Sequence, residues 1–253
     1  MNVRVVKIGG AALADAGWLS TFAAAAAAAR EPLVIVHGGG PEISALSDRL
    51  GIAVRWHEGR RVTPPEALDV AAMVLNGSVN RRVVSALVGA GVDALGLCGV
   101  DGGLLRAELV ENGALGRVGH IVAVRTELLG TLLRLGHTLV LSPVSLAPDG
   151  DALNVNADDA AAAVAAALGA EELLFLTDVP GVRDTAGMRP WLDADEAAAL
   201  IDAGVAYGGM RVKLHAAVKA LDCGVPAIRI GDVRMLFDHS AGTVLRPVSL
   251  GAA

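Results

Sequence analysis

Leu33-Val34-Ile35-Val36-His37 runs directly into Gly38-Gly39-Gly40 and then into Pro41-Glu42-Ile43-Ser44-Ala45-Leu46. An apolar, β-branched run, a bare-backbone turn and a resumption at helical spacing predict a buried strand, a tight turn and a helix start. The succession has a counterpart at the start of the chain, where Val3-Arg4-Val5-Val6-Lys7-Ile8 ends in Gly9-Gly10. Strands that are apolar along their length need cover on both faces, which argues for a parallel sheet between helices. In such sheets ligands bind outside the carboxyl ends of the strands, so both glycine turns can serve one ligand. Glycine lets main-chain N–H groups approach an anion, and a helix N-terminus adds positive charge; a phosphate suits such a place. A tight strand-to-helix turn without a ligand accounts equally well for either run alone. Neither run matches the dinucleotide fingerprint or the Walker A loop.

The remainder alternates in the same way. Helices are expected over 18–30, with seven alanines from Ala23 to Ala29, then over 42–50, 66–75, 79–90, 127–135, 193–203 and 211–220. Asn76-Gly77-Ser78 reads as a break between two of them. Strands are expected over 92–97, 138–141, 172–176, 226–230 and 242–245, and 104–110 against 121–124 reads as an antiparallel insert. Residues 53–58 look extended, and Arg60-Arg61 follows in a loop. The fold class is α/β, a mainly parallel central sheet with helices on both faces.

With 253 residues, 53% of them hydrophobic, the chain can bury a large aliphatic core in one two-lobed domain or two small ones. No apolar run approaches the about 20 residues of a membrane span, and no signal segment opens the chain, so a cytoplasmic location is expected. A net charge of −6 argues against a nucleic-acid partner. Cys98 and Cys223 lack metal-site spacing and read as buried free thiols, and the six histidines are too scattered for zinc, so no residue is assigned to metal.

Of 21 basic residues only Lys7, Lys213 and Lys219 are lysine. Lysine is a compact, mobile point charge, and arginine a rigid planar fork, so these positions are candidates for work that arginine does poorly. Lys7 sits near the end of the first strand, and Gly208-Gly209-Met210 precede a helix that carries Lys213 in its first turns, again a setting for phosphate. Lys219 reads as part of a solvated helix face. Asn156 or Asp158 can cap the helix that follows them, and Asp158 can instead be a carboxylate that orients cations. Arg60 and Arg61 are either solvated or placed to grip a carboxylate.

Taken in order, Lys7-Ile8-Gly9-Gly10, Val36-His37-Gly38-Gly39-Gly40, Gly59-Arg60-Arg61-Val62-Thr63, Asn154-Val155-Asn156-Ala157-Asp158 and Gly208-Gly209-Met210-Arg211-Val212-Lys213 resemble the amino-acid kinase family. The resemblance runs from Val5 to about Thr243 and is strongest to members that phosphorylate the γ-carboxylate of N-acetyl-L-glutamate with MgATP, in arginine synthesis. It implies a three-layer sandwich with two lobes, 1–168 for the acyl amino acid and dimerisation and 169–253 for ATP. It further implies that Lys7 and Lys213 neutralise the transferring phosphoryl group, that Asp158 holds both lysines, and that backbone N–H groups of Gly10, Gly38 and Gly39 bind its oxygens. Arg61 and Asn154 would hold the amino acid. Thr177, Asp178, Gly181, Gly209 and Met210, with Lys7 and Lys213, would meet the nucleotide. Mg²⁺ would bind phosphate oxygens and water. His37 is left without a role.

Two rival readings remain: a kinase of the same fold acting on an aminoadipate or glutamate held on a carrier protein, and a non-catalytic amino-acid or nucleotide sensor. Arginine-inhibited relatives carry an extra N-terminal helix that knits dimers into hexamers. With the first strand at Val3, a homodimer insensitive to arginine is expected.

Overall fold

The computed structural model describes residues 2–247. Its central sheet has eight strands, in the order Trp191–Asp193, Thr243–Arg246, Ile228–Gly231, Glu172–Leu176, Arg4–Ile8, Leu33–His37, Thr138–Ser142 and Ala94–Cys98. Neighbours run parallel except Ile228–Gly231 against Thr243–Arg246. Four further strands, Leu105–Leu109, Val118–Val124, Val144–Leu146 and Ala152–Val155, close a small barrel. The antiparallel pairing of its first two is the insert expected from sequence.

Alternation along the strands builds the layers. Val5, Val34, Val36, Leu139 and Phe175 point to one face, where Ala161 of the helix Ala157–Leu168 and Leu214 of Gly208–Asp222 complete the core. Val6, Ile8, Ile35, Val140 and Leu174 point to the other, against Phe22, Ile43, Val70 and Val83. A slip of one residue would exchange the faces. At about 1.5–3 kcal/mol for each large apolar side chain buried, the core holds the register. That register puts Lys7, two residues beyond Val5, on the same face as Ala157–Leu168.

Several local expectations need correction. The break at 76–78 does not occur: Pro65–Ala72, a π-helical turn at Met73–Val79 and Asn80–Gly89 follow one another without interruption. The wider turn absorbs Gly77 and keeps Val74, Leu75 and Val79 in the core. Arg60 and Arg61 lie in a strand, Arg60–Val62, paired antiparallel with Arg55–His57 so that Trp56 faces Arg61. Of the two thiols, Cys223 is exposed and Cys98 only partly covered, because Cys223 ends a helix at its solvent side.

A buried charge network at the amino end of the central strands gave no signal in the sequence. Glu172 receives Arg4 Nε at 2.9 Å and Arg229 Nη2 at 3.1 Å. The two guanidinium groups also donate to the carbonyls of Met235, Leu236, Asp238 and Ala241. The network ties a polar loop under the sheet, far in the strand direction from the glycine turns. Among the described residues no helix is long and apolar enough to cross a membrane.

Candidate active site

The two glycine turns are packed against each other. A Cβ added at Gly10 would lie 2.8 Å from Gly39 Cα and 2.9 Å from Gly39 N, so only glycine permits this approach. Gly38 N–H donates to Ile8 O at 2.9 Å, extending the pairing of the two strands past their ends. That bond corrects one expectation: the Gly38 amide is committed to the sheet. The amides of Gly10 and Gly39 stand where helices begin, where N–H groups have no intrahelical acceptor.

Lys7 Nζ lies 2.8 Å from Asp158 Oδ1, with both side chains buried. The approach is not that of an aligned hydrogen bond, and Oδ1 has no other donor among the described residues. Asn156 takes the capping role, its Oδ1 accepting from Asp158 N–H at 2.8 Å, which frees the Asp158 side chain. Lys213 makes no ion pair among the described residues, so Asp158 contacts one lysine rather than two. Burial, then the nearby Lys7, lowers the Lys213 pKa; Asp158 and Asp178 act against that shift. Lys7 and Lys213 thus bring two ammonium groups to a partly desolvated centre in which only Lys7 is in contact with a carboxylate. Such a centre suits a polyanion.

Two clefts open on either side of it. The first, of about 330 Å³, is lined by Lys7, Gly10, Gly38, Gly39, Arg61, Asn154, Asp158 and Lys213. In it Arg61 donates to Gly40 O at 3.1 Å and Ser44 Oγ at 2.7 Å, while its guanidinium stacks 4.6 Å from the centre of the Trp56 ring. Burial lowers the Arg61 pKa, Asp48 acts against that shift, and Arg61 forms no salt bridge among the described residues. Asn154 Nδ2 donates to Thr63 Oγ1 at 3.1 Å, and Thr63 in turn donates to Arg61 O at 2.7 Å.

The second cleft, of about 730 Å³, is lined by Thr177, Asp178, Gly181, Gly209 and Met210, with Gly9, Ala11 and Lys213 shared with the first. Every nucleotide-side candidate except Lys7 therefore lies in one cavity. Trp18, Asp15 and Tyr207 also line it, Trp56 lines the other, and Ser44 and Thr63 hold Arg61 and Asn154 there by hydrogen bonds; sequence reasoning missed all six. Trp56 was within reach, since treating 55–62 as a hairpin sets it opposite Arg61. Trp18 was not, because only packing brings its helix to this edge.

His37 is fully buried beneath the turn. Its Nδ1 is 3.1 Å from Gly38 O, and its Nε2 is 3.1 Å from Asn80 Nδ2. Burial lowers its pKa to about 4, so the ring is neutral at pH 7.

Known proteins resemble this chain over most of its length. The profile of the amino acid kinase family matches residues 2–232. The acetylglutamate kinase of Roseiflexus castenholzii is 47% identical over 243 residues, 95% of this chain and 93% of that protein. That of Chloroflexus aurantiacus is 44% identical over 245 residues, 96% of each. Among solved structures, N-acetylglutamate synthase from Neisseria gonorrhoeae, complexed with coenzyme A and N-acetyl-glutamate, superposes with a TM-score of 0.84. It is 27% identical, over 97% of this chain and 59% of that one.

Proposed function

The chain belongs to the amino acid kinase family, and from that membership we propose that it phosphorylates the γ-carboxylate of N-acetyl-L-glutamate with ATP, in arginine biosynthesis. The observation that carries this reading is the position of Lys7, Lys213, Asp158 and the paired glycine turns at the junction of two clefts. One cleft offers an unpaired arginine for a small carboxylic acid, and the other has room for a nucleotide. The 40–48% identity to curated acetylglutamate kinases supports the choice of acceptor.

The chemistry needs no general base. The acceptor carboxylate is already ionised at pH 7, and what opposes reaction is bringing one anion up to another. A carboxylate oxygen forms the new bond to the γ-phosphorus as the bond to the β,γ-bridging oxygen breaks, leaving an acyl phosphate and ADP. Lys7 and Lys213 neutralise charge on the phosphoryl oxygens, the amides of Gly10 and Gly39 donate to them, and Asp158 holds Lys7 in place. Arg61 takes the α-carboxylate of the acceptor, with Asn154 beside it. Thr177, Asp178, Gly181, Gly209 and Met210 hold the nucleotide. Mg²⁺ enters with ATP, on phosphate oxygens and water, as its preference for hard oxygen ligands requires.

In this reading, residues 1–168 serve the acceptor and dimerisation and 169–253 serve ATP. Asp15 and Trp18, which also line the second cleft, are contributions of the first part to the second site. A cytoplasmic homodimer is proposed. Light scattering of the purified protein gives the assembly directly.

The test is turnover of free N-acetyl-L-glutamate with ATP, the acyl phosphate being trapped by hydroxylamine, beside the same acid linked to a carrier protein. Hydroxamate from the free acid is expected, and Lys7→Ala is expected to lower kcat by about 100-fold or more. Turnover of the carrier-linked acid alone, or ATP binding without turnover of either, would overturn the proposal.

A further inference from the structure

One residue outside both clefts, His37, contacts the Gly38-Gly39-Gly40 turn from below. His37 ends the strand Leu33–His37 with its ring on the face opposite Lys7, beneath the turn. Its Nε2 faces Asn80 Nδ2 at 3.1 Å, and the same amide nitrogen lies 3.0 Å from Val140 O. An amide NH₂ can only donate, so Nε2 is the acceptor and the ring proton sits on Nδ1. Nδ1–H then donates to Gly38 O at 3.1 Å. The tautomer thus follows from the Asn80 amide, itself anchored on a central strand.

One carbonyl is thereby held from below. The peptide that joins Gly38 to Gly39 is planar and trans, so its N–H points away from its C=O. With the Gly38 carbonyl drawn to His37, the Gly39 N–H is directed to the opposite side, where Gly39 lines the acceptor cleft. A glycine-glycine peptide flips easily because neither residue resists a change of φ or ψ, so an unrestrained turn would lose this direction part of the time. A Cβ added at Gly39 would meet Leu75 and Val79, so these side chains back the turn without a hydrogen bond to its peptide groups among the described residues.

We propose that His37, with its tautomer set by Asn80, is a positioning residue that aims the Gly39 amide at the transferring phosphoryl group. The inference rests on the kinase reading above. It assigns a role to a motif residue that reading leaves unused, and it makes Asn80 part of the same device.

The experiment uses two substitutions that divide the ring's two contacts. In His37→Asn the side-chain NH₂ falls near the position of Nδ1 and can donate to Gly38 O. In His37→Gln the amide reaches the position of Nε2 and can accept from Asn80, but leaves Gly38 O without its donor. Both are assayed for kcat, for KM of ATP and of N-acetyl-L-glutamate, and for thermal unfolding, with His37→Ala as reference. His37→Gln is expected to lose about 10- to 100-fold in kcat with little change in either KM, and His37→Asn to restore most of the turnover at similar melting temperature. Nitrogen NMR of the labelled wild-type ring is expected to show the Nδ1–H tautomer at neutral pH. Equal kcat in the Gln and Asn variants, or an Nε2–H tautomer, would overturn the inference. Those outcomes leave wild-type hydroxamate formation intact and so stay separate from a failure of the kinase reading.

Discussion

Lys7 Nζ and Asp158 Oδ1 meet at 2.8 Å between a strand end and a helix start, both buried and with no second donor to that oxygen among the described residues. A buried pair of this kind is costly to break from one side, because the survivor stays charged and desolvated. Asp158→Asn is therefore expected to destabilise the protein by about 3–5 kcal/mol as well as to cut kcat. Lys7→Met combined with Asp158→Leu should recover much of that stability with no recovery of activity. Thermal unfolding separates the two effects; a double variant no more stable than Asp158→Asn would count against the pair as the source of the loss.

Lys213 supplies a pH signature. Burial and Lys7 depress its pKa, so the unfolded chain holds the proton over a window in which the folded one releases it. Its contribution to stability accordingly improves as pH rises through that window, whereas activity that needs the ammonium falls. An alkaline limb in kcat/KM for ATP is expected below the ordinary lysine range. In Lys213→Arg, which keeps its charge, the residual activity should lose that limb. Persistence of the limb in the arginine variant would assign it elsewhere.

Arg61 is a buried cation with carbonyl, hydroxyl and aromatic neighbours but no salt bridge among the described residues. Arg61→Ala is expected to raise KM for the acyl amino acid by about 10- to 100-fold while kcat and KM for ATP change little. Steady-state kinetics in both substrates decide it; a change confined to KM for ATP would mean that Arg61 serves the other cleft.

His37 enters the acid stability of the fold. Its pKa is about 4 when folded against 6.5 for the free side chain, chiefly from burial, with Lys7 lowering it and Gly38 O and Glu42 raising it. The depressed value means that its contribution is complete above pH 6.5 and is lost as pH falls towards 4, by about 3 kcal/mol. Denaturant unfolding followed between pH 7 and pH 4 should show this loss, and His37→Asn should flatten the curve over that interval.

The glycines of the first turn differ in what they tolerate. A Cβ at Gly9 meets nothing within 4 Å, whereas one at Gly10 meets backbone atoms of Gly39 and Gly40 at 2.8–3.0 Å. Gly10→Ala must push the two turns apart, and is expected to cost about 1–3 kcal/mol and most of kcat. Gly9→Ala should melt near the wild type. Equal melting temperatures for the two would contradict the close approach.

Much of this protein is written locally in its sequence. The strands at 3–8, 33–36 and 172–176 and the glycine turns after the first two were legible because apolar period and glycine placement act over a few residues, and the structure has strands at Arg4–Ile8, Leu33–His37 and Glu172–Leu176. The candidate site residues were legible because residue type carries chemistry: lysine is scarce here, and the motifs stand in order. What tertiary structure alone decided is which of these groups touch. Sheet order places Arg4–Ile8 between Leu33–His37 and Glu172–Leu176, and this packs Gly10 on Gly39 and brings Lys7 to Asp158. The commitment of the Gly38 amide to Ile8, the single partner of Asp158 and the Arg4–Glu172–Arg229 network follow from contacts between distant segments. Local periodicity carries no record of them, because the free energy that selects such contacts comes from burying whole faces together.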